Sequence, residues 1–171
     1  MHDLIPHTPP AARSLKDFAL PFVLSPRHWS AYDGPRGLEW RGVKFSSANA
    51  SHVPDDAGGI YTFVAKSEVA QHPHCAHLLY VGKTASTDTR DFRVRFREYL
   101  QRQASGDYSR RPWLTWMLDG WRDHLWFYFA PVADAREVER VEDSLLAAWL
   151  PPFNKDFPGH VSLELRQHGL L

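Results

Sequence analysis

From residue 58 onward the chain alternates between short apolar runs and longer amphipathic stretches. IYTFVAK (60–66) is apolar, β-branched and aromatic, the profile of a strand, and HLLYVGK (77–83) repeats it and ends at a glycine. The polar, proline-containing SEVAQHPHCA between them predicts a long-looped hairpin. Residues 88–103 read as a helix, and WLTWMLDGW (113–121) as a short helix stopped near Gly120. HLWFYFAPV (124–132) is almost wholly apolar, which predicts a third strand buried on both faces. Residues 135–150 form a second long helical pattern, closed by Pro151-Pro152. The expected fold is therefore an α/β sandwich of the α+β class, a small, mainly antiparallel three-stranded sheet flanked by helices. Residues 58–155 make the domain and 156–171 a short C-terminal tail.

Residues 1–57 have another texture. Pro9-Pro10, Pro21, Pro26, Pro35 and Pro54 interrupt them, and only 38–46 (LEWRGVKFS) has strand character. They read as an N-terminal extension with one strand. Basic and acidic residues both number 20, which argues against a histone-like or tail-driven nucleic-acid binder. A single cysteine, Cys75, excludes an intrachain disulfide framework and a Cys-only zinc cluster. The sequence has no apolar run long enough for a membrane span, and MHDLIPHTPPAARS lacks the basic start and apolar core of a secretory signal. A cytoplasmic setting without membrane partners is expected.

Two polar residues fall where burial is expected. At 100° per residue, Val138, Val141, Leu145, Ala148 and Trp149 share one stripe of the 135–150 helix, and Glu142 lies inside it. Glu139 and Asp143 point away, toward solvent. A carboxylate facing a sheet is costly unless it meets a cation or donors. Glu142 is thus either a structural salt bridge or capping group, or a metal ligand or catalytic acid. In the 88–103 helix, Phe92, Phe96, Tyr99 and Gln103 form the apolar line and Arg95 sits beside it, while Arg93 and Arg97 face outward. Arg95 either snorkels toward an acid or presents its rigid fork to a phosphate. Residues 83–111 hold eight basic and four acidic residues, net +4, whereas 134–143 hold two and five, net −3. A basic helix beside one carrying a buried acid suits a metal-dependent phosphodiesterase.

Gly59-Ile60-Tyr61 and Tyr80-Val81-Gly82-Lys83 stand at the start of one strand and the end of the next. Taken with Arg95 four residues before Tyr99, Glu142, and Asn154 in a Pro-Pro-Phe-Asn turn, they resemble the GIY-YIG nuclease superfamily. The Arg95–Tyr99 and Glu142–Asn154 spacings are similar to the excision-repair incision nuclease version, and the domain also resembles the family's restriction and homing endonucleases. The resemblance spans 58–154. Valine replaces isoleucine in the second triplet, and the loop between the tyrosines and the segment from Arg95 to Glu142 are longer than usual. Tyr99 stands where other members carry histidine, and no recognisable accessory module follows Asn154.

The resemblance implies a DNA endonuclease, a hydrolase using one Mg²⁺ or Mn²⁺ per site with Glu142 as its sole carboxylate ligand. It casts Tyr61 as general base, Arg95 as the clamp on the scissile phosphate, and Tyr80 as the group orienting water or phosphate. Tyr99 becomes a base, relay or structural group, and Asn154 a support. A free phenol has a pKa of about 10, so Tyr61 needs a cation to lower it, and Lys83 is the candidate. DNA contacts are expected from Lys83, Arg90, Arg93, Arg95 and Arg97, with base stacking available to edge tyrosines and tryptophans. One active site nicks; double-strand cutting needs a homodimer or two visits, and specificity can come from a protein partner. The alternatives are a catalytically inactive member of the fold that binds nucleic acid or protein, and a toxin nuclease. His72, His74, Cys75 and His77 also raise a zinc site, weighed against an exposed His-rich loop.

Overall fold

The computed structural model describes residues 14, 18–69, 75–84 and 90–170. Its central element is β2 (Gly59–Lys66), whose side chains alternate between two cores. Tyr61, Phe63 and Ala65 point into the larger core and Ile60 into the smaller. β2 pairs antiparallel with β3 (Ala76–Thr84) on one side and with β4 (Leu125–Pro131) on the other. β1 (Arg41–Lys44) pairs antiparallel with β4, giving the order β1-β4-β2-β3. The sheet therefore has four strands rather than three, because the strand expected in the N-terminal extension joins the same sheet.

α2 (Phe92–Ser105) and α3 (Pro112–Gly120) cover one face. The Asp91 carboxylate caps α2 by accepting from the Val94 N–H at 2.7 Å, so the helix starts later than residue 88, which lies outside the described residues. Phe92, Phe96 and Tyr99 pack with Tyr61, Phe63, Phe127 and Phe129 in an aromatic-rich core. Phe63 meets Tyr99 edge-on at 4.9 Å and Tyr61 stacks on Phe127 at 5.3 Å. α4 (Ala135–Trp149) covers the other face, with Val138, Val141, Leu145 and Leu146 packed on Ile60 and Val81. Full burial of such side chains contributes about 1.5–3 kcal/mol each. β4 is not buried on both faces as its composition suggests: Leu125, Phe127 and Phe129 are buried, whereas Trp126 and Tyr128 are half-exposed.

Described residues on both sides of 58–155 pack against it. A 3₁₀ segment, Ser47–His52, leads to the buried Val53, and the Arg93 Nε donates to the Val53 carbonyl at 2.7 Å. Within the C-terminal segment, α5 (Gly159–Gln167) buries Val161 and Leu165 against Leu150. A short helix, α1 (Pro26–Ser30), precedes the sheet and pairs Arg27 with Glu164 of α5. Among the described residues no helix is long and apolar enough to cross a membrane.

Candidate active site

The two triplets meet because β2 and β3 pair in one register, which sets Tyr61 opposite Gly82 and Ile60 opposite Lys83. Gly82 lets the Tyr61 ring lie across β3, since a Cβ there would come within 2.6 Å of the ring's Cζ and hydroxyl oxygen. Gly59 has φ +149°, and a Cβ would reach 2.3 Å from the Ala130 carbonyl oxygen on β4. Both glycines are thus fixed by close approach rather than by looseness.

Tyr61 is fully buried, and its hydroxyl shares a 2.8 Å hydrogen bond with the hydroxyl of Tyr99. Arg95 on α2 donates from Nη2 to the same Tyr61 oxygen at 3.4 Å, while its Nη1 holds Glu98 at 2.6 Å. Burial pushes the Tyr61 phenol well above its ordinary pKa, with the Tyr80 hydroxyl adding to the shift and the Arg95 guanidinium opposing it. Burial likewise pushes Tyr99 up, reinforced by Tyr61. Desolvation by itself would lower Arg95; the two phenols and Glu98 outweigh it and hold the guanidinium firmly charged. The expectation that Lys83 activates Tyr61 is corrected here, because the Lys83 ammonium is engaged elsewhere.

Lys83 reaches from the end of β3 to α4, with its Nζ 2.9 Å from Glu142 Oε2 and 3.1 Å from Glu139 Oε1. The Glu142 side chain is only 14% exposed. Burial raises its pKa, against the hydrogen bond and charge of Lys83. Burial would lower Lys83, yet Glu142 and then Glu139 more than compensate and its pKa rises. The acid within the apolar stripe is therefore a paired carboxylate. Glu139, read from the pattern as simply solvated, is its second neighbour on the ammonium.

Asn154 acts on the backbone. Its Oδ1 accepts the Val81 N–H at 2.9 Å and its Nδ2 donates to the Val81 carbonyl at 2.8 Å. The Phe153 N–H adds a bond to the Leu79 carbonyl at 3.0 Å. The carboxamide thus substitutes for a missing strand along the open edge of β3 and anchors the 151–158 turn.

These groups share one cleft of about 790 Å³. Tyr61 and Tyr80 form part of its wall, with Lys83, Arg90, Arg95, Glu142 and Asn154 around it. Tyr99 stands behind Tyr61, and Arg97 is exposed and not part of the wall. Arg93 is not a free cation on the basic face: it binds Asp55 and the carbonyls of Val53 and Ser51, tying α2 to the N-terminal segment. The pattern reading missed Lys155 and counted Arg111 only within the basic 83–111 segment; both line the cleft, as does Trp113, one of the tryptophans at that segment's edge. Lys155 directly follows Asn154, and Arg111 and Trp113 flank the proline that starts α3, so adjacency to elements already singled out was the available signal.

Among the described residues no group of three or more His, Cys, Asp and Glu side chains is arranged to hold a metal ion. His72 and His74 lie outside the described residues; Cys75 is half-buried and His77 exposed. Glu142 offers one carboxylate, which suits a hard ion that keeps most of its waters and takes further oxygens from phosphate. It does not suit a cage built from protein alone. Comparisons of the chain with protein-family models, with curated proteins and with solved structures find no match.

Proposed function

We propose that this protein is a divalent-metal-dependent DNA endonuclease of the GIY-YIG type, hydrolysing phosphodiesters with one ion per site. The observation that carries this reading is the convergence of Tyr61, Tyr80, Lys83, Arg95 and Glu142 from β2, β3, α2 and α4 on one open cleft, braced by Asn154. Glu142 would hold Mg²⁺ or Mn²⁺, which when bound supplies a Lewis acid for the phosphoryl and leaving oxygens. Arg95, half-buried and permanently charged, binds the scissile phosphate and opposes charge developing there. The Tyr61–Tyr99 hydroxyl pair, buried as neutral phenols, orients Arg95 through the Tyr61 oxygen. Tyr80, half-exposed at the cleft wall, orients the attacking water. Lys83 keeps the Glu142 carboxylate ionised despite its burial.

The test is a panel of plasmid, duplex, single-stranded and RNA substrates with Mg²⁺ or Mn²⁺, with Glu142→Ala as control. Metal-dependent cleavage by the wild type and none by the folded variant supports the reading; no cleavage of any substrate overturns it. One observation favours a second reading, a non-catalytic binding module: Glu142 already has its charge satisfied by Lys83. That module would bind nucleic acid or a protein and cut nothing in the same panel.

A further inference from the structure

The catalytic cleft does not end at the phosphate-binding groups. A second depression of about 430 Å³ lies between the 151–157 turn, α5 and residues 21–23. Trp113, Asn154, Lys155 and Phe157 line both spaces, so the two adjoin. Trp113 stands at the junction, at the second position of α3, half-buried. Its aromatic neighbours behave differently: Trp116 and Trp121 lock onto each other at 4.9 Å and onto Phe153. Among the described residues Trp113 has no aromatic partner, and what lies over its ring is the Lys155 ammonium, 5.5 Å from the centroid. Arg111, two residues earlier, also lines the catalytic cleft.

A half-buried indole that rests on the core and carries an ammonium over its ring, between cations and beside an apolar recess, combines the two elements of single-strand recognition. The cations track a phosphate backbone, and the ring stacks on any base that is not already stacked. We propose that Trp113 is the stacking platform for an unpaired nucleobase next to the scissile phosphate. The substrate class is then a nucleic acid that is single-stranded or splayed at the cut. A base displacing Lys155 from the ring frees its ammonium for the adjoining phosphate, so stacking and charge pairing reinforce each other. An intact duplex keeps its bases paired and offers the ring nothing. This inference rests on the nuclease reading for the position of the scissile phosphate, while the stacking site itself is tested without catalysis.

The experiment is fluorescence anisotropy of the full chain in EDTA with labelled single-stranded and duplex oligonucleotides, using wild type, Trp113→Leu and Trp113→Phe. Leucine preserves apolar packing and removes the π-face; phenylalanine keeps both. Trp113→Leu is expected to weaken single-strand binding about tenfold and duplex binding less than about twofold, with Trp113→Phe close to wild type. Unchanged single-strand affinity in Trp113→Leu, or equal losses on both substrates, overturns the proposal. Cleavage with Mg²⁺ is scored separately. Cutting without a Trp113 effect on binding sinks the stacking site alone. A Trp113-dependent single-strand preference without any cutting supports the stacking site and sinks the nuclease reading.

Discussion

Lys83 and Glu142 form the ion pair on which the proposed metal site depends. The carboxylate is buried against the sheet and would be protonated more readily than an exposed glutamate; the ammonium at 2.9 Å counters that. Removing Lys83 as Lys83→Met therefore raises the Glu142 pKa further, so a larger fraction is protonated at any given pH. The acid limb of the cleavage pH profile should move to higher pH, and an unmoved limb would detach Lys83 from this role. Arg95→Lys keeps the charge but not the fork that spans Glu98 and Tyr61, and cleavage should fall at least about tenfold. A rate assay with circular dichroism as the folding control checks it. Glu142 was legible at this scale because an acid inside an apolar stripe is costly, and Arg95 because it borders one. The elevated Tyr61 and Tyr99 phenols were not legible. Their state depends on burial within an aromatic cluster assembled from three strands and a helix, which no local pattern encodes.

Among the elements, the turn at 151–154 bears more on the site than its length suggests. Asn154→Ala removes both side-chain bonds to Val81 and leaves a buried N–H and carbonyl on β3 without partners. The expected loss is about 3 kcal/mol, read as a shift in the urea midpoint; a loss near zero would mean that water replaces the carboxamide. Gly82→Ala would drive a methyl into the Tyr61 ring, which is stacked on Phe127 in the packed core, so both stability and cleavage should drop. The strands and long helices were readable from periodicity because each buries one continuous face. β1 and α5 were not assigned their places. β1 has only four residues and acquires its meaning from pairing with β4, more than 80 positions away. α5 buries just Val161 and Leu165, too small a stripe to stand out in a short terminal segment.

Taken as a whole, the molecule is electrically neutral, so affinity for nucleic acid has to come from local charge. The cations of the cleft are partly committed: Lys83 to two acids and Arg95 to Glu98, which leaves Arg90, Arg111 and Lys155 free of acidic partners among the described residues. Neutralising about three phosphates predicts a loss of affinity between 50 and 200 mM salt of roughly 20-fold for a single strand and roughly 40-fold for a duplex. Flat salt dependence would argue against the cleft as the binding surface. As a proposed hydrolytic site, the cleft has Glu142 and Arg95 acting on one phosphate. The most direct measurement is single-turnover cleavage of a labelled oligonucleotide with Mg²⁺ by wild type, Glu142→Ala and Arg95→Lys, each shown to be folded. The expected result is metal-dependent cutting by the wild type that is abolished in the first variant and crippled in the second. Cutting at the wild-type rate by Glu142→Ala would contradict the account.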